Sequence, residues 1–213
     1  MTSTTNLLAF VGLVVALLLV WRQSWPGRLR LFAAQSVVLA LLATVVGVLA
    51  ARPGLVVVGA VFALVKVWII PRVLRRIAAG APVRPVAPGK SSGIALLVAG
   101  ALVVAAYVVM LPVQAATRLP TQGAIPLAFA MALIGLYVCV TGRDALGHIL
   151  GFLVFENGVF GLAILATYGL PGIVEAGVFL DVLVIVFIME VVVVQVRREH
   201  ASIAEERLRE LRG

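Results

Sequence analysis

Long uninterrupted runs of apolar residues, separated by short stretches of charge, proline and glycine, cover almost the whole chain. A helix needs roughly 20 apolar residues to cross a bilayer, and backbone groups in lipid must be satisfied within the segment itself. Apolar and polar residues do not alternate, as they would in the strands of a membrane barrel. The pattern therefore predicts an all-α integral membrane protein with seven spans, numbered 1 to 7 here: 4–21, 31–51, 54–71, 93–113, 123–141, 147–168 and 172–196.

The breaks between the spans divide the chain. Arg52-Pro53-Gly54 and Leu170-Pro171-Gly172 are short turns, whereas the basic, proline-rich segment between spans 3 and 4 predicts a flexible cytoplasmic linker. The tail has apolar residues on one helical face, so we expect an amphipathic helix that is either solvated or a docking helix. The predicted organisation is 1–71 for spans 1 to 3, 72–92 for the linker, 93–122 for span 4 and an outer loop, 123–196 for spans 5 to 7, and 197–213 for the tail.

Composition supports the membrane assignment and charge orients it. Of the residues, 63% are apolar and only 12% are charged, which excludes a soluble globule and a disordered chain. Fourteen of the 17 basic residues fall in the connections after spans 1, 3 and 5 and in the tail. Because basic loops stay in the cytoplasm, we predict an outer N-terminus and a cytoplasmic C-terminus, which requires an odd number of spans. The net charge of +8 then reflects topology rather than nucleic-acid binding.

All nine acidic residues lie at or after Asp144, and four of them fall inside spans 6 and 7. A charged side chain at the bilayer centre costs at least about 2.5–3.5 kcal/mol, so such acids are protonated, paired, hydrated or turned toward protein. Glu156 and Asp181 lie near the middle of their spans, where we favour proton or cation transfer over a structural hydrogen bond. Glu175, near the outer end, is either functional or simply hydrated. For Glu190 we favour a structural role, covered by a partner or paired with a tail arginine.

Two basic side chains add to these candidates. Lys66 is the one base inside a span, and its position allows two roles: snorkelling to the helix end near Pro71, or exchanging protons. His148 begins span 6 beside Asp144, where it is either a polar cap or an entry point for protons on their way to Glu156.

Other chemistry is not indicated by the sequence. The single cysteine excludes a disulfide framework and a cysteine-ligated cluster, and no nucleophile–base pair, phosphate loop or metal-ligand cluster appears, so we expect no cofactor and no metal. The glycines in and around spans 4 to 6 predict close helix packing, with a G-x-x-x-G pair at Gly147 and Gly151. These glycines are Gly100, Gly135, Gly147, Gly151, Gly158 and Gly161.

Several short motifs resemble one family. The E-N-G sequence of Glu156-Asn157-Gly158 and the V-E-x-G-x-x-x-D sequence that contains Glu175 and Asp181 resemble the hydrogenase-4 component E (HyfE) family. Two other segments carry the same resemblance, Ala34-Gln35-Ser36-Val37 and Val65-Lys66-Val67 with Ile70-Pro71. The resemblance covers nearly the whole chain and respects the seven-span layout.

The resemblance implies a role and a set of site residues. Such proteins are membrane subunits of assemblies related to respiratory complex I, and their last three helices, here 123–196, resemble the three-helix NuoK/MrpC-type subunit. In that subunit intramembrane glutamates carry protons; the matching residues here are Glu156 and Asp181, with Glu175 nearby. Lys66 matches the lysine of the family's third helix, which favours a functional role for it. Glu190 falls where we expect the family to be apolar.

We therefore expect a non-redox subunit of a redox-driven proton-translocating complex of the group 4 hydrogenase type, in the bacterial cytoplasmic membrane, with no redox centre of its own. The implied partners are antiporter-like and quinone-chamber-like membrane subunits and a peripheral redox arm. The alternatives are a structural adaptor between such parts, a component of a sodium/proton antiporter-type complex, or an independent transporter. The last is disfavoured because the two halves show no repeat.

Overall fold

The computed structural model describes residues 2–80, 91–116, 118–142 and 144–169, all of which fall in one compact unit of the chain. These residues form helices joined by short turns, and no strand occurs among them. Six helices are long and apolar enough to cross a membrane. They are α1 (Thr2–Trp21), α2 (Trp25–Leu49), α3 (Pro53–Ala63, Leu64–Ile69 and Ile70–Gly80 in continuous succession), α4 (Ser91–Ala116), α5 (Ile125–Val140) and α6 (Ala145–Thr167).

These six helices correspond in order to predicted spans 1 to 6. Span 7 lies outside the described residues, and with it Glu175, Asp181, Glu190 and the tail. The number of seven spans and the orientation of the termini stay predictions.

Two predicted boundaries are wrong. Helix α2 begins at Trp25 rather than at residue 31, so Arg28 and Arg30 lie in its first turns and not in a loop. Pro26 explains the early start, because proline favours the first turn of a helix, where its missing N–H is not needed. Helix α3 continues to Gly80, so the first part of the predicted linker is helical.

Helix α3 passes through Pro71 by changing its winding. Proline lacks an N–H and its ring clashes with the carbonyl four residues earlier, so a regular α-helix cannot continue through it without distortion. The segment Leu64–Ile69 is a π-helix, and the N–H of Ile70 donates to the carbonyl of Val65, five residues back. The wider turn absorbs an extra residue, as π-bulges do.

The π segment keeps one face of α3 turned to the protein interior. Three α-helical turns take about 11 residues, whereas the buried positions between Phe62 and Leu74 span twelve. The extra residue lies in the π segment, so the buried stripe stays in line. The stripe consists of Leu55, Gly59, Phe62, Lys66, Ile70 and Leu74.

Helices α5 and α6 pack at glycines in an antiparallel pair. A Cβ at Gly151 would meet the backbone of Cys139, and one at Gly158 would meet the backbone of Ala132. Gly151 and Gly158 are seven residues apart, so both lie on the same face of α6. On α5, Gly135 approaches the backbone of Phe155 in the same way.

The prediction of close packing is confirmed at these three glycines and at Gly161, which meets the side chain of Leu39 on α2. It is not confirmed at Gly100, around which a Cβ would meet none of the described residues within 4 Å. It is also not confirmed at Gly147, which lies against the carboxylate of Asp144, the cap of its own helix. Neither glycine faces a neighbouring helix in the part of the chain that the structure describes.

The core lies between α1, α2, α5 and α6. It is built mainly from leucine, isoleucine, alanine and phenylalanine side chains of these helices. Leu55 and Phe62 of α3 and Ala99 and Ala106 of α4 also contribute. Helix α4 is at the periphery, where Ile94, Leu97 and Val104 are exposed. The outer surface of the bundle is thus apolar, as expected of a protein surrounded by lipid or by other membrane subunits.

Candidate functional site: a buried ion pair between α3 and α6

Lys66 is fully buried at the middle of α3. The snorkelling interpretation is wrong, because the amine is not directed along α3 toward a helix end. It is fully shielded from solvent and directed into the bundle, where it meets a carboxylate of α6.

Glu156 of α6 is the carboxylate that meets this amine. Lys66 Nζ lies 2.8 Å from Glu156 Oε2, and both side chains are shielded from solvent. Glu156 stands at the midpoint of Ala145–Thr167, so the two helices meet at similar depth. The partner of Glu156 is thus a base on a neighbouring helix, which the sequence analysis had not paired with it.

Asn157 is the second partner of Lys66. Lys66 Nζ donates to Asn157 Oδ1 over 3.1 Å. The amide nitrogen of Asn157 donates in turn to Gln35 Oε1 and Ser36 Oγ of α2, at 3.2 and 3.1 Å. All five side chains are buried, so α2, α3 and α6 are joined by one continuous polar cluster within an apolar bundle. We call these five residues, Gln35, Ser36, Lys66, Glu156 and Asn157, the Lys66 cluster.

Aromatic rings close one side of the cluster. Lys66 Nζ lies 4.7 Å from the ring centre of Phe62, one turn earlier on α3, in a cation–π contact. Phe62 stacks on Phe160 of α6, with ring centres 4.3 Å apart. The stack fixes α3 against α6 one turn from the ion pair and covers the amine with apolar surface.

The E-N-G motif has a geometric explanation. Gly158 faces α5, where the absence of a side chain lets the two helices touch. Residues one and two positions earlier on a helix point about 100° and 200° away from it. Close contact with α5 therefore directs Asn157 and Glu156 toward α2 and α3, where their partners lie.

His148 and Asp144 lie at the N-terminal end of α6, away from the ion pair. Asp144 caps the helix, its carboxylate accepting from the N–H of Gly147 at 2.6 Å. His148 is exposed, and its Nδ1 is 2.6 Å from the carbonyl oxygen of Cys139. Eight residues, about 12 Å of helix, separate His148 from Glu156, so a proton entering there needs further groups to reach the pair.

The structure thus brings together two of the predicted site residues, Lys66 and Glu156. The sequence analysis had not assigned Gln35, Ser36 and Asn157 to the site, although their motifs carried the family resemblance. Their polarity could have indicated a role, because Gln35, Ser36 and Asn157 lie in otherwise apolar spans and buried polar groups need partners.

The cluster can hold or exchange a proton. An ammonium and a carboxylate joined by one hydrogen bond become an amine and a carboxylic acid when a single proton moves from Nζ to Oε2. Taking two charges out of water costs several kcal/mol per ion, and only good geometry and additional hydrogen bonds offset that cost. Asn157 supplies such a bond to Lys66.

The fold and this site define a multi-pass α-helical membrane protein with a charged, fully buried cluster at its centre. The chain belongs to the same family as the uncharacterized protein Rv0085 of Mycobacterium tuberculosis, to which it is 35% identical over 206 residues, 94% of this chain and 93% of the relative. No protein-family model matches the chain, and neither does any solved structure.

A more distant similarity extends over the full length. The chain is 26% identical over 212 residues to hydrogenase-4 component E of Escherichia coli K12, covering 98% of this chain and 97% of that protein. The same identity and coverage hold for hydrogenase-4 component E of Shigella flexneri. This similarity, together with the six apolar helices, fits a membrane subunit of a hydrogenase-type complex.

Proposed function

We propose that this protein is a non-redox subunit of a redox-driven, proton-translocating membrane complex of the hydrogenase type, and that the Lys66–Glu156 pair is a proton-transfer site in it. The observation that carries the proposal is the pair itself: a base and an acid 2.8 Å apart, at the midpoints of two membrane helices. The full-length similarity to hydrogenase-4 component E supports the hydrogenase-type assembly.

The pair suits proton transfer better than it suits stability. A buried ion pair is often no more stable than apolar side chains of the same size. A unit charge that appears about 10 Å away, at an effective dielectric constant near 20, changes the energy of one member by about 1.7 kcal/mol. That corresponds to more than a tenfold change in the ratio of the two protonation states. A charge that appears at that distance in a neighbouring subunit is therefore sufficient to shift the uptake or release of a proton by one member of the pair.

Span 7 supplies the next groups in the proposal. Asp181 and Glu175 lie outside the described residues, in the sequence that we predict to be span 7, and the proposal takes them as intramembrane acids there. The family resemblance assigns Asp181 to the same relay as Glu156. In the proposed sequence of events a proton passes between the Lys66 cluster and these acids along the plane of the membrane. His148 is proposed as a point of entry, and Glu190 is given no role.

A second candidate function, a structural adaptor, is favoured by one observation. The Lys66 cluster joins three helices through five polar side chains, and such a network also serves to fix helix register. As an adaptor, the subunit would link the redox arm to antiporter-like subunits without carrying protons itself.

Purification tests the assembly. We expect the tagged chain, extracted from its native membrane in mild detergent, to bring with it antiporter-like membrane subunits and a peripheral redox arm. Recovery of the chain without any redox protein would contradict the proposed complex and favour an independent membrane protein.

Neutral variants separate the proton relay from the adaptor. We expect Glu156→Gln and Asp181→Asn to assemble into the complex and to lower proton pumping. An adaptor predicts the opposite, namely impaired assembly with normal pumping by whatever complex forms. Gly100→Ala, in open surroundings on α4, is the matched control for both measurements and is expected to leave assembly and pumping unchanged.

A further inference from the structure

Ser36 lies in the Lys66 cluster without touching either charged group in the bonds described for it. Its hydroxyl donates to the carbonyl oxygen of Phe32, one turn earlier on α2, at 3.0 Å. A hydroxyl has one proton to donate, so the same oxygen can only accept its remaining hydrogen bond. That bond comes from the amide nitrogen of Asn157.

The acceptors on α2 determine which way the carboxamide of Asn157 faces. Both Ser36 Oγ and Gln35 Oε1 accept from Asn157 Nδ2, so Asn157 Oδ1 is left to face Lys66. If the carboxamide were reversed, Asn157 Nδ2 would take the place of Oδ1 and face Lys66 Nζ, so that two donors would meet at hydrogen-bonding distance. It would also set its oxygen against Gln35 Oε1. Reversal thus requires Ser36 and Gln35 to change their bonds at the same time.

We infer that Ser36 is a positioning residue for the proton-transfer pair: through Asn157 it keeps a carboxamide oxygen on Lys66 and thereby holds the ammonium group beside Glu156. The inference rests on the proposed function, because the proton whose placement it controls is the one that the pair would transfer. Glu156 of α6 is the titratable group that the described residues place against Lys66, while α2 contributes only the neutral Gln35 and Ser36.

Lysine content makes a direct measurement possible. The chain has two lysines, Lys66 and Lys90. Full-length protein labelled with 15N at the lysine side chains and reconstituted in lipid nanodiscs therefore gives two Nζ resonances. A Lys66→Met sample assigns them. The exchange of the Lys66 ammonium protons with water, read at one fixed pH, reports how firmly the group is held.

The test compares two hydroxyls of α2. Ser36→Ala removes the acceptor for Asn157, and we expect the Lys66 ammonium protons to exchange at least about tenfold faster, the effect of losing a hydrogen bond to a charged group. Thr44 Oγ1 makes the same kind of bond, to the carbonyl of Ala40 at 2.9 Å, and none to the cluster. Thr44→Val is therefore the matched control and is expected to leave the exchange rate unchanged.

Two results would overturn the inference. An exchange rate in Ser36→Ala equal to that of the unmodified protein would show that Ser36 does not position Lys66. Equal acceleration in Ser36→Ala and Thr44→Val would show general loosening of α2. If Ser36→Ala does not fold, Ser36→Cys replaces it, because cysteine has a similar volume and its sulfur is a weaker acceptor. The exchange rate in Ser36→Cys is then compared with those of the unmodified protein and Thr44→Val in the same way. The spectra do not depend on pumping, so the positioning role and the proposed function can fail separately.

Discussion

Lys66 and Glu156 are 90 residues apart in sequence, and their Nζ and Oε2 atoms lie 2.8 Å apart in the structure. Each is at the midpoint of its helix, and each is shielded from solvent. A base and an acid placed in this way neutralise each other in a region where either alone would be costly. The pair therefore links the packing of α3 and α6 to the charge state of the site.

Removal of one partner is expected to destabilise the protein more than removal of both. Lys66→Met or Glu156→Leu alone leaves a buried group without its main partner, at a cost of about 3–5 kcal/mol. The double variant leaves neither charge, and we expect it to be more stable than either single variant. Denaturant unfolding of all four proteins in one detergent measures the coupling. A double variant as unstable as the sum of the two singles would show that the two charges are not coupled.

Close packing of α5 on α6 predicts a sharp difference between two glycines. Gly158→Val places a branched side chain against the backbone of Ala132, which cannot move aside, so we expect a loss of at least about 1–3 kcal/mol and little folded protein. Gly100→Val introduces the same side chain in open surroundings on α4. Size-exclusion chromatography of the detergent extracts compares them. Similar yields of folded Gly158→Val and Gly100→Val would contradict the packing described for α6.

The π segment of α3 predicts where a residue can be removed. Deletion of Val67 combined with Pro71→Ala turns the buried spacing after Lys66 into that of a regular α-helix, so the buried stripe persists and the protein is expected to fold. Deletion of the exposed Val57 rotates the rest of α3 by about 100° relative to Leu55. We expect that variant to be misfolded. Thermal unfolding followed by circular dichroism distinguishes them, and equal damage from both deletions would argue against the register set by the π segment.

The predicted topology can be tested at the C-terminus. Seven spans with an outer N-terminus place the tail in the cytoplasm, because most basic residues then lie on that side. We expect green fluorescent protein fused after Gly213 to fluoresce and alkaline phosphatase fused at the same point to be inactive. Fusions truncated after Thr167 are expected to give the reverse pattern. An active phosphatase at Gly213 would show that the number of spans or the orientation is wrong.

The helices could be predicted from the sequence because each described membrane helix is one long apolar run. The boundaries that failed are those where local chemistry competes with hydropathy. Arg28 and Arg30 are charged, yet they lie inside α2, since Pro26 starts the helix before them. Pro71 suggested a helix end, yet the π-helical turn before it lets α3 continue to Gly80.

The site could be predicted only in part. Lys66 and Glu156 were each identified as candidates, because an ionisable residue in an apolar span is conspicuous on its own. Their pairing was not predicted, since it depends on how α3 and α6 approach each other, and the sequence does not encode that distance locally. The approach follows from contacts such as Phe62 on Phe160 and the cluster's bonds to α2.

The most direct measurement of the central claim is the number of protons translocated per electron by sealed vesicles that contain the purified complex with Glu156→Gln. Glutamine keeps the shape of the side chain and one oxygen that can accept from Lys66, but it cannot carry the proton. With amounts of assembled complex matched, we predict a ratio at least several-fold below that of the unmodified complex, and recovery with Glu156→Asp. An unchanged ratio in the assembled Glu156→Gln complex would contradict the assignment of the Lys66–Glu156 pair as a proton-transfer site.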